Sequence, residues 1–296
     1  MTHRGLVTLG ADRPEALRDG GGGGQASGGG VTLSAGFAVG EEQWRARLGT
    51  LRQVVRQEVV ARQLAAHLPD VPRRRVLDIG CGQGTQALLL ARRGHLVTGL
   101  DSSHRLLADF RAALRTEPAE VGDRVRLVHG EAQAIGELFS PAGFDAVLCH
   151  GVLMYFPDPG PLLDAIAQIV APGGIVSLLV RNGDALAMRP ALAGDWAAVG
   201  EAFDAVAYRN RIGVDARADR LDELTAELAR RRLSVPQWYG VRVFTDAAAS
   251  DAPLPDEATL DLIVGFEERA GRTDPYRHVA ALLHLIAVRG EASPAR

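Results

Sequence analysis

Arg75-Val76-Leu77-Asp78-Ile79-Gly80-Cys81-Gly82-Gln83-Gly84-Thr85 joins a short aliphatic run to an acid and then to three glycines at alternate positions. The run Arg75–Ile79 has the length and composition of a buried strand. A strand-to-helix turn whose backbone approaches a ligand must exclude side chains, which Gly80, Gly82 and Gly84 accomplish. Asp78 puts a carboxylate at the strand end. That suits a ligand ammonium, directly or through water, and suits a pyrophosphate poorly. A turn of this kind is weak evidence alone, so its surroundings decide.

Downstream, short aliphatic runs alternate with helical segments. Strands are expected at His95–Leu100, Val125–Val128, Phe144–Cys149 and Gly174–Val180. This alternation predicts βαβ units in an α/β, Rossmann-like doubly wound sheet. After Asp101, Ser102 reads as a helix N-cap, with Leu106, Leu107, Phe110 and Leu114 on one helix face. Pro172-Gly173-Gly174 reads as a turn. Residues 181–236 look like a helical, substrate-side insertion after the fifth strand. Residues 237–244 and 276–288 read as the last two of seven strands, around a helix from Asp256 to Ala270. Upstream, Leu51, Val54, Val55, Val59 and Leu64 fall at helical spacing. Residues 1–40, with Gly20–Gly24 and Gly28–Gly30, read as a disordered glycine-rich tail. Structure is expected from near Glu41, the folded domain over 41–290, and a short tail over 291–296.

The ligand-facing candidates cluster at the carboxyl ends of the strands, where open α/β sheets bind ligands. Asp101 ends the second strand and can accept both hydroxyls of a ribose. Ala132 and Gln133 follow the third strand, where a backbone N–H and a side-chain amide can read an adenine edge. His150 follows the fourth. Cys81 and Cys149 read as packing positions, and no histidine–cysteine cluster has metal spacing.

Composition narrows the field. The 296 residues carry a formal net charge of -3 and a sequence pI of about 6.3, which predicts no wholesale attraction to nucleic acid or an anionic membrane. Two cysteines do not make a disulfide scaffold, and no apolar run approaches the ~18 residues of a membrane span. No signal peptide is visible at the start, so the cytoplasm is the expected compartment. Every basic side chain is arginine, which excludes lysine Schiff-base chemistry and a lysine-bearing P-loop.

The stretch Arg75–Val180 resembles class I S-adenosylmethionine-dependent methyltransferases. A narrower likeness rests on Val180-Arg181-Asn182-Gly183, Ala193-Gly194-Asp195-Trp196, Gly240-Val241-Arg242-Val243-Phe244-Thr245-Asp246, Glu268-Arg269 and Asp274-Pro275-Tyr276. These are similar to bacterial tRNA methyltransferases that esterify the carboxymethoxy group of a wobble uridine, and the likeness spans roughly Gly49–Arg289. It implies that Arg52 holds the methionine carboxylate, as a guanidinium can. It further implies that Gly80 and Cys81 line the methionine portion, Asp101 binds the ribose, Ala132 sits by the adenine, and His150 closes the site near the sulfonium.

The insertion departs from that family. Where a family member has a lysine run, this chain reads Tyr208-Arg209-Asn210-Arg211, and Arg181–Arg242 holds ten arginines against nine acids. The segment around Trp44–Gly49 is also shorter. The expected partner is therefore a tRNA or an anionic small-molecule acceptor, held by Arg181, Tyr239 and Arg242. A carboxylate acceptor needs no general base at pH 7, whereas a hydroxyl or amine would call on His150 or Tyr155. The residues leave open a small-molecule O- or N-methyltransferase, a cofactor-binding protein without catalysis and an NAD-dependent oxidoreductase. They do not encode the oligomeric state.

Overall fold

The computed structural model describes residues 34–249 and 251–291. Most of the expected N-terminal tail and residues 292–296 lie outside this range. Helix α1 (Ser34–Ala46) already covers residues 34–40, so helix begins before the expected start at Glu41.

Helices α1 and α2 (Leu51–Ala65) precede β1 (Arg75–Ile79). The chain continues through α3 (Thr85–Arg92), β2 (Leu96–Asp101), α4 (His104–Leu114), α5 (Ala119–Gly122), β3 (Val125–His129), α6 (Ile135–Leu138), β4 (Phe144–His150), α7 (Gly160–Ile169) and β5 (Val170–Arg181). It then forms α8 (Met188–Leu192), α9 (Trp196–Ala202), β6 (Ala207–Arg209), β7 (Asp215–Arg217), α10 (Leu221–Arg230), β8 (Leu233–Val241), α11 (Glu257–Ala270) and β9 (Leu282–Arg289).

Seven strands form one sheet in the order β3-β2-β1-β4-β5-β9-β8, with β9 antiparallel to both neighbours. The chain runs outward from β1 to β3 on one side and from β4 onward on the other. The switch point therefore lies between the carboxyl ends of β1 and β4, where open sheets leave a crevice. Buried aliphatic side chains cover both faces, around Ile79, Val147 and Leu178 on one and around Val76, Leu148 and Ile286 on the other. That explains why these strands read as continuous apolar runs rather than alternating ones.

Several boundaries differ from the sequence reading. Asp101 is the last residue of β2, and the α4 N-cap is Ser103, whose hydroxyl accepts from the Leu106 N–H at 3.1 Å. Residues 237–244 become β8 (Leu233–Val241). The 276–288 strand begins only at Leu282, because Tyr276–Val279 form a tight helical turn. The segment 181–236 is not uniformly helical. It holds the β6–β7 hairpin, and its last helix, α10, buries Leu224 and Leu228 in the main core. The excursion is closed at its root. The Asn182 amide donates to the His278 and Ala280 carbonyls at 3.0 and 2.9 Å, and Gly183 N–H donates to Asp219 O at 2.8 Å.

Candidate active site

The turn after β1 is fixed by its own backbone. Gly80 and Cys81 N–H groups both donate to Leu100 O, at 2.8 and 3.0 Å. The three glycines then differ in purpose. Gly82 has φ +55° and open space where a Cβ would stand, and its N–H donates to Asp101 Oδ2 at 2.8 Å. Gly84 is glycine for a different reason. It caps α3 at φ +88°, and a Cβ there would sit 2.2 Å from the Phe110 ring. Gly80 and Gly82 line a cavity of about 290 Å³ at the switch point; Gly84 packs behind it.

One side of the cavity is acidic. Asp101 also accepts from Ser103 N–H at 2.8 Å, so each of its oxygens is anchored once and keeps a further lone pair. Asp78 is buried, and burial, with Asp101 adding to it, pushes its carboxyl up to about 7 against the pull of Arg56. Ala132 and Gln133 line the cavity from the short helical turn after β3. His150, at the end of β4, also lines it, and its Nε2 is 2.8 Å from Ser177 Oγ. Burial, then the neighbouring His284 and Arg56, lower the His150 imidazole well below its ordinary range. Burial pushes the phenol of Tyr155, the other base candidate, up from its ordinary value.

The opposite side is built from arginines around one carboxylate. Asp246 is 2.8 Å from Arg52 Nη2, 3.2 Å from Arg189 Nε, 3.3 Å from Arg242 Nη2 and 3.7 Å from Arg181 Nη1. Burial pushes the Asp246 carboxyl up, but Arg242, Arg189, Arg181 and Arg52 together outweigh it and hold the group well below the usual carboxylate range. One negative charge faces four positive ones. Arg52 Nε, Arg181 Nε and Nη1, and Arg242 Nε are buried without a hydrogen-bond partner among the described residues. Buried donors of a charged group without a hydrogen-bond partner are costly, and an anion in the cavity would supply one. Burial accordingly lowers Arg52 and Arg242 to about 10, with Asp246 opposing the shift.

The loop that carries Asp246 is held from below by Glu267 of α11. Its carboxylate accepts from the N–H groups of Val243, Phe244 and Thr245 and from the Thr245 hydroxyl, at 2.7 to 3.0 Å. Arg242 enters the cavity because the chain turns at φ +59° just beyond β8.

Tyr239, expected to bind the acceptor, does not reach the cavity. It lies on the other face of β8, packs against the core around Leu64 and Leu68, and its hydroxyl is 2.7 Å from His67 Nε2. Alternation along the strand decides this. Both cysteines are buried, with the Cys149 thiol pushed up to about 12 by burial.

A methyltransferase-domain family profile matches residues 77–178. Over 253 residues the chain is 31% identical to the tRNA 5-carboxymethoxyuridine methyltransferase of Escherichia coli K12, covering 81% of this chain and 88% of that one. The chain belongs to this family of S-adenosylmethionine-dependent methyltransferases. A shorter match, 39% identical over 121 residues, joins it to the ubiquinone biosynthesis O-methyltransferase of Paracidovorax citrulli, covering 41% of this chain and 49% of the relative. The fold is shared with the Burkholderia thailandensis 1,6-didemethyltoxoflavin N1-methyltransferase, solved with bound 1,6-didemethyltoxoflavin and S-adenosylhomocysteine. The TM-score there is 0.54 at 19% identity, covering 90% of this chain and 94% of that one.

The cavity of this methyltransferase fits its cofactor chemically. An open glycine turn, two carboxylates suited to an ammonium and a diol, and an orphaned Arg52 Nε suited to a carboxylate all face one space. Reading the sequence identified Arg52, Asp78, Gly80, Cys81, Gly82, Asp101, Ala132, Gln133, His150, Arg181 and Arg242, and all of them line that space. It gave no role to Arg56, Arg189, Asp246, Glu267 or Ser177. Asp246 lies in the family-specific stretch, but nothing local announces that it gathers arginines from three other segments.

Proposed function

We propose that this methyltransferase esterifies a carboxylate, and that its acceptor is the carboxymethoxy group of a tRNA wobble uridine. The observation that carries this reading is the charge imbalance around Asp246. Four guanidiniums share one carboxylate, and a single cofactor carboxylate would still leave an excess of two positive charges. An anionic acceptor is what the remaining unpaired donors of Arg181 and Arg242 call for. The likeness to the tRNA 5-carboxymethoxyuridine methyltransferase supports the identity of that acceptor. A tRNA acceptor would place the enzyme in the cytoplasm, and no helix among the described residues is long and apolar enough to cross a membrane.

In this reading Arg52 takes the carboxylate of the cofactor, Asp78 its ammonium, Asp101 its ribose, and Ala132 with Gln133 its adenine. Bound S-adenosylmethionine supplies an electrophilic methyl group on a sulfonium. Arg181 and Arg242 orient the acceptor carboxylate, which is already ionised at pH 7 and needs no base. Tyr155 contributes only a hydroxyl donor, and the neutral His150 adds no positive charge beside the sulfonium. The excursion between β5 and α10 supplies the outer wall through Arg189, Tyr208 and Asn210.

The test is transfer of labelled methyl from S-adenosylmethionine to total tRNA of cells lacking their own carboxymethoxyuridine methylation. The expected product is labelled tRNA that loses its label in mild alkali, as an ester does. Alkali-stable label, or label only in small molecules, would move the acceptor to a hydroxyl or amine.

A further inference from the structure

Behind His150 runs a chain of buried hydrogen bonds that no part of the transfer reaction has yet used. It begins at the carbonyl of Gly240 in β8, which can only accept. Gln63 Nε2 donates to it at 3.2 Å, so the Gln63 amide can have only one orientation. Its Oε1 then faces His284 Nδ1 at 2.7 Å. An amide oxygen cannot donate, so His284 carries its proton on Nδ1.

His284 is 0% exposed and touches no carboxylate among the described residues. Burial, with His67 and Arg56 adding to it, lowers this imidazole to about 3, so it is neutral and its Nε2 is a bare lone pair. That lone pair is 2.7 Å from Ser177 Oγ and must receive the only proton the hydroxyl has. Ser177 Oγ therefore accepts from its other neighbour, His150 Nε2, at 2.8 Å. His150 donates through Nε2–H, and its other nitrogen is unprotonated. The chain crosses five elements, β8, α2, β9, β5 and the end of β4, and every link has one permitted direction.

We propose that Gln63, His284 and Ser177 are positioning residues that hold His150 in its Nε2–H tautomer, so that the ring edge left to the cofactor cavity is a lone pair. The opposite tautomer would turn an N–H dipole, positive end first, toward a cavity that takes a sulfonium and already holds Arg56 and the arginine cluster. A lone pair meets a cationic centre favourably. The relay thus favours the charged cofactor over its uncharged thioether product. It matters to the ratio of their affinities more than to either alone.

The inference is tested first on the unaltered protein without cofactor. Long-range nitrogen–proton NMR of the labelled imidazoles, with the two rings assigned through His150→Gln and His284→Gln, reads each tautomer at pH 7.5. The expected result is Nε2–H for His150 and Nδ1–H for His284. An Nδ1–H or doubly protonated His150 overturns the proposal. Calorimetry then compares the affinities for S-adenosylmethionine and S-adenosylhomocysteine. Ser177→Ala should cut their ratio about tenfold, the scale of one hydrogen bond to a charged group, and Ser177→Thr, which keeps the hydroxyl, should restore it. Gln63→Glu has the same shape, but a carboxylate there gives up the bond to Gly240 O and would charge His284, reverse the two links through Ser177 and turn His150 to Nδ1–H. An unchanged ratio in folded Ser177→Ala, or an unreversed His150 in folded Gln63→Glu, would contradict the relay.

Discussion

The two walls of the cavity solve the problem of binding charge in opposite ways. The acidic wall is nearly local: Asp78 and Asp101 lie at the carboxyl ends of adjacent strands, β1 and β2, and N–H groups of Gly82 and Ser103 anchor Asp101. The arginine wall is assembled at long range. Arg52 of α2 meets Asp246 across 194 residues of sequence, and Arg181, Arg189 and Arg242 join them from the end of β5, from α8 and from the loop after β8. On the acidic wall, backbone N–H groups anchor Asp101 before any ligand arrives. The arginine wall is in electrostatic deficit without one.

Removing the hub of the arginine wall should have the largest effect. Asp246→Asn leaves four guanidiniums, those of Arg52 and Arg181 buried, without their shared counter-charge. Uncompensated buried charge costs about 3–5 kcal/mol, which corresponds to roughly 10 °C in melting temperature for a chain of this size. Scanning calorimetry should find that loss, partly recovered by S-adenosylhomocysteine, whose carboxylate replaces some of the missing charge. A melting point unchanged by the substitution would show that the cluster is not held together by Asp246.

The acidic wall should respond to pH where the arginine wall does not. In the ligand-free protein burial raises Asp78 to about 7, so below that pH the carboxyl holds a proton. An ammonium favours the ionised form, so binding must expel the proton. Affinity for S-adenosylhomocysteine should then fall as pH drops from about 7.5 to 5.5, by up to about tenfold per unit. Asp101, which raises Asp78, and Arg56, which lowers it, set the midpoint. His150 lies too low to titrate in this window. Asp78→Asn should bind weakly with a flat profile in calorimetry. A wild-type affinity that is flat over this range would remove Asp78 from contact with the ligand ammonium.

The same contrast explains what could be read in the sequence. Strand ends, the glycine turn and the acid at the end of β2 announce themselves within some twenty-five residues, because backbone geometry demands particular residue types there. Even so, Gly84 answers to the Phe110 ring rather than to a ligand. The cap falls on Ser103 rather than Ser102, a one-residue shift that composition does not distinguish. On the arginine wall, Arg52 stood out only through family likeness, since its spacing is that of any helical surface position. Asp246 stood only as the last residue of the family-like stretch Gly240–Asp246, and Glu267 carries no local mark at all. Tyr239 was misplaced because Arg242, three residues on, lines the cavity, whereas Tyr239 packs into the core. The relay behind His150 joins five elements and is visible only when they are packed together.

The division of labour between the walls can be tested with one variant, Arg181→Gln. S-adenosylhomocysteine affinity by calorimetry would be measured beside kcat/KM for tRNA methylation. If Arg181 serves the acceptor, the affinity stays within about twofold while kcat/KM falls roughly a hundredfold, the scale of a lost charged contact. Equal losses in both would contradict the account, because Arg181 would then belong to the cofactor and the second anion would have no site.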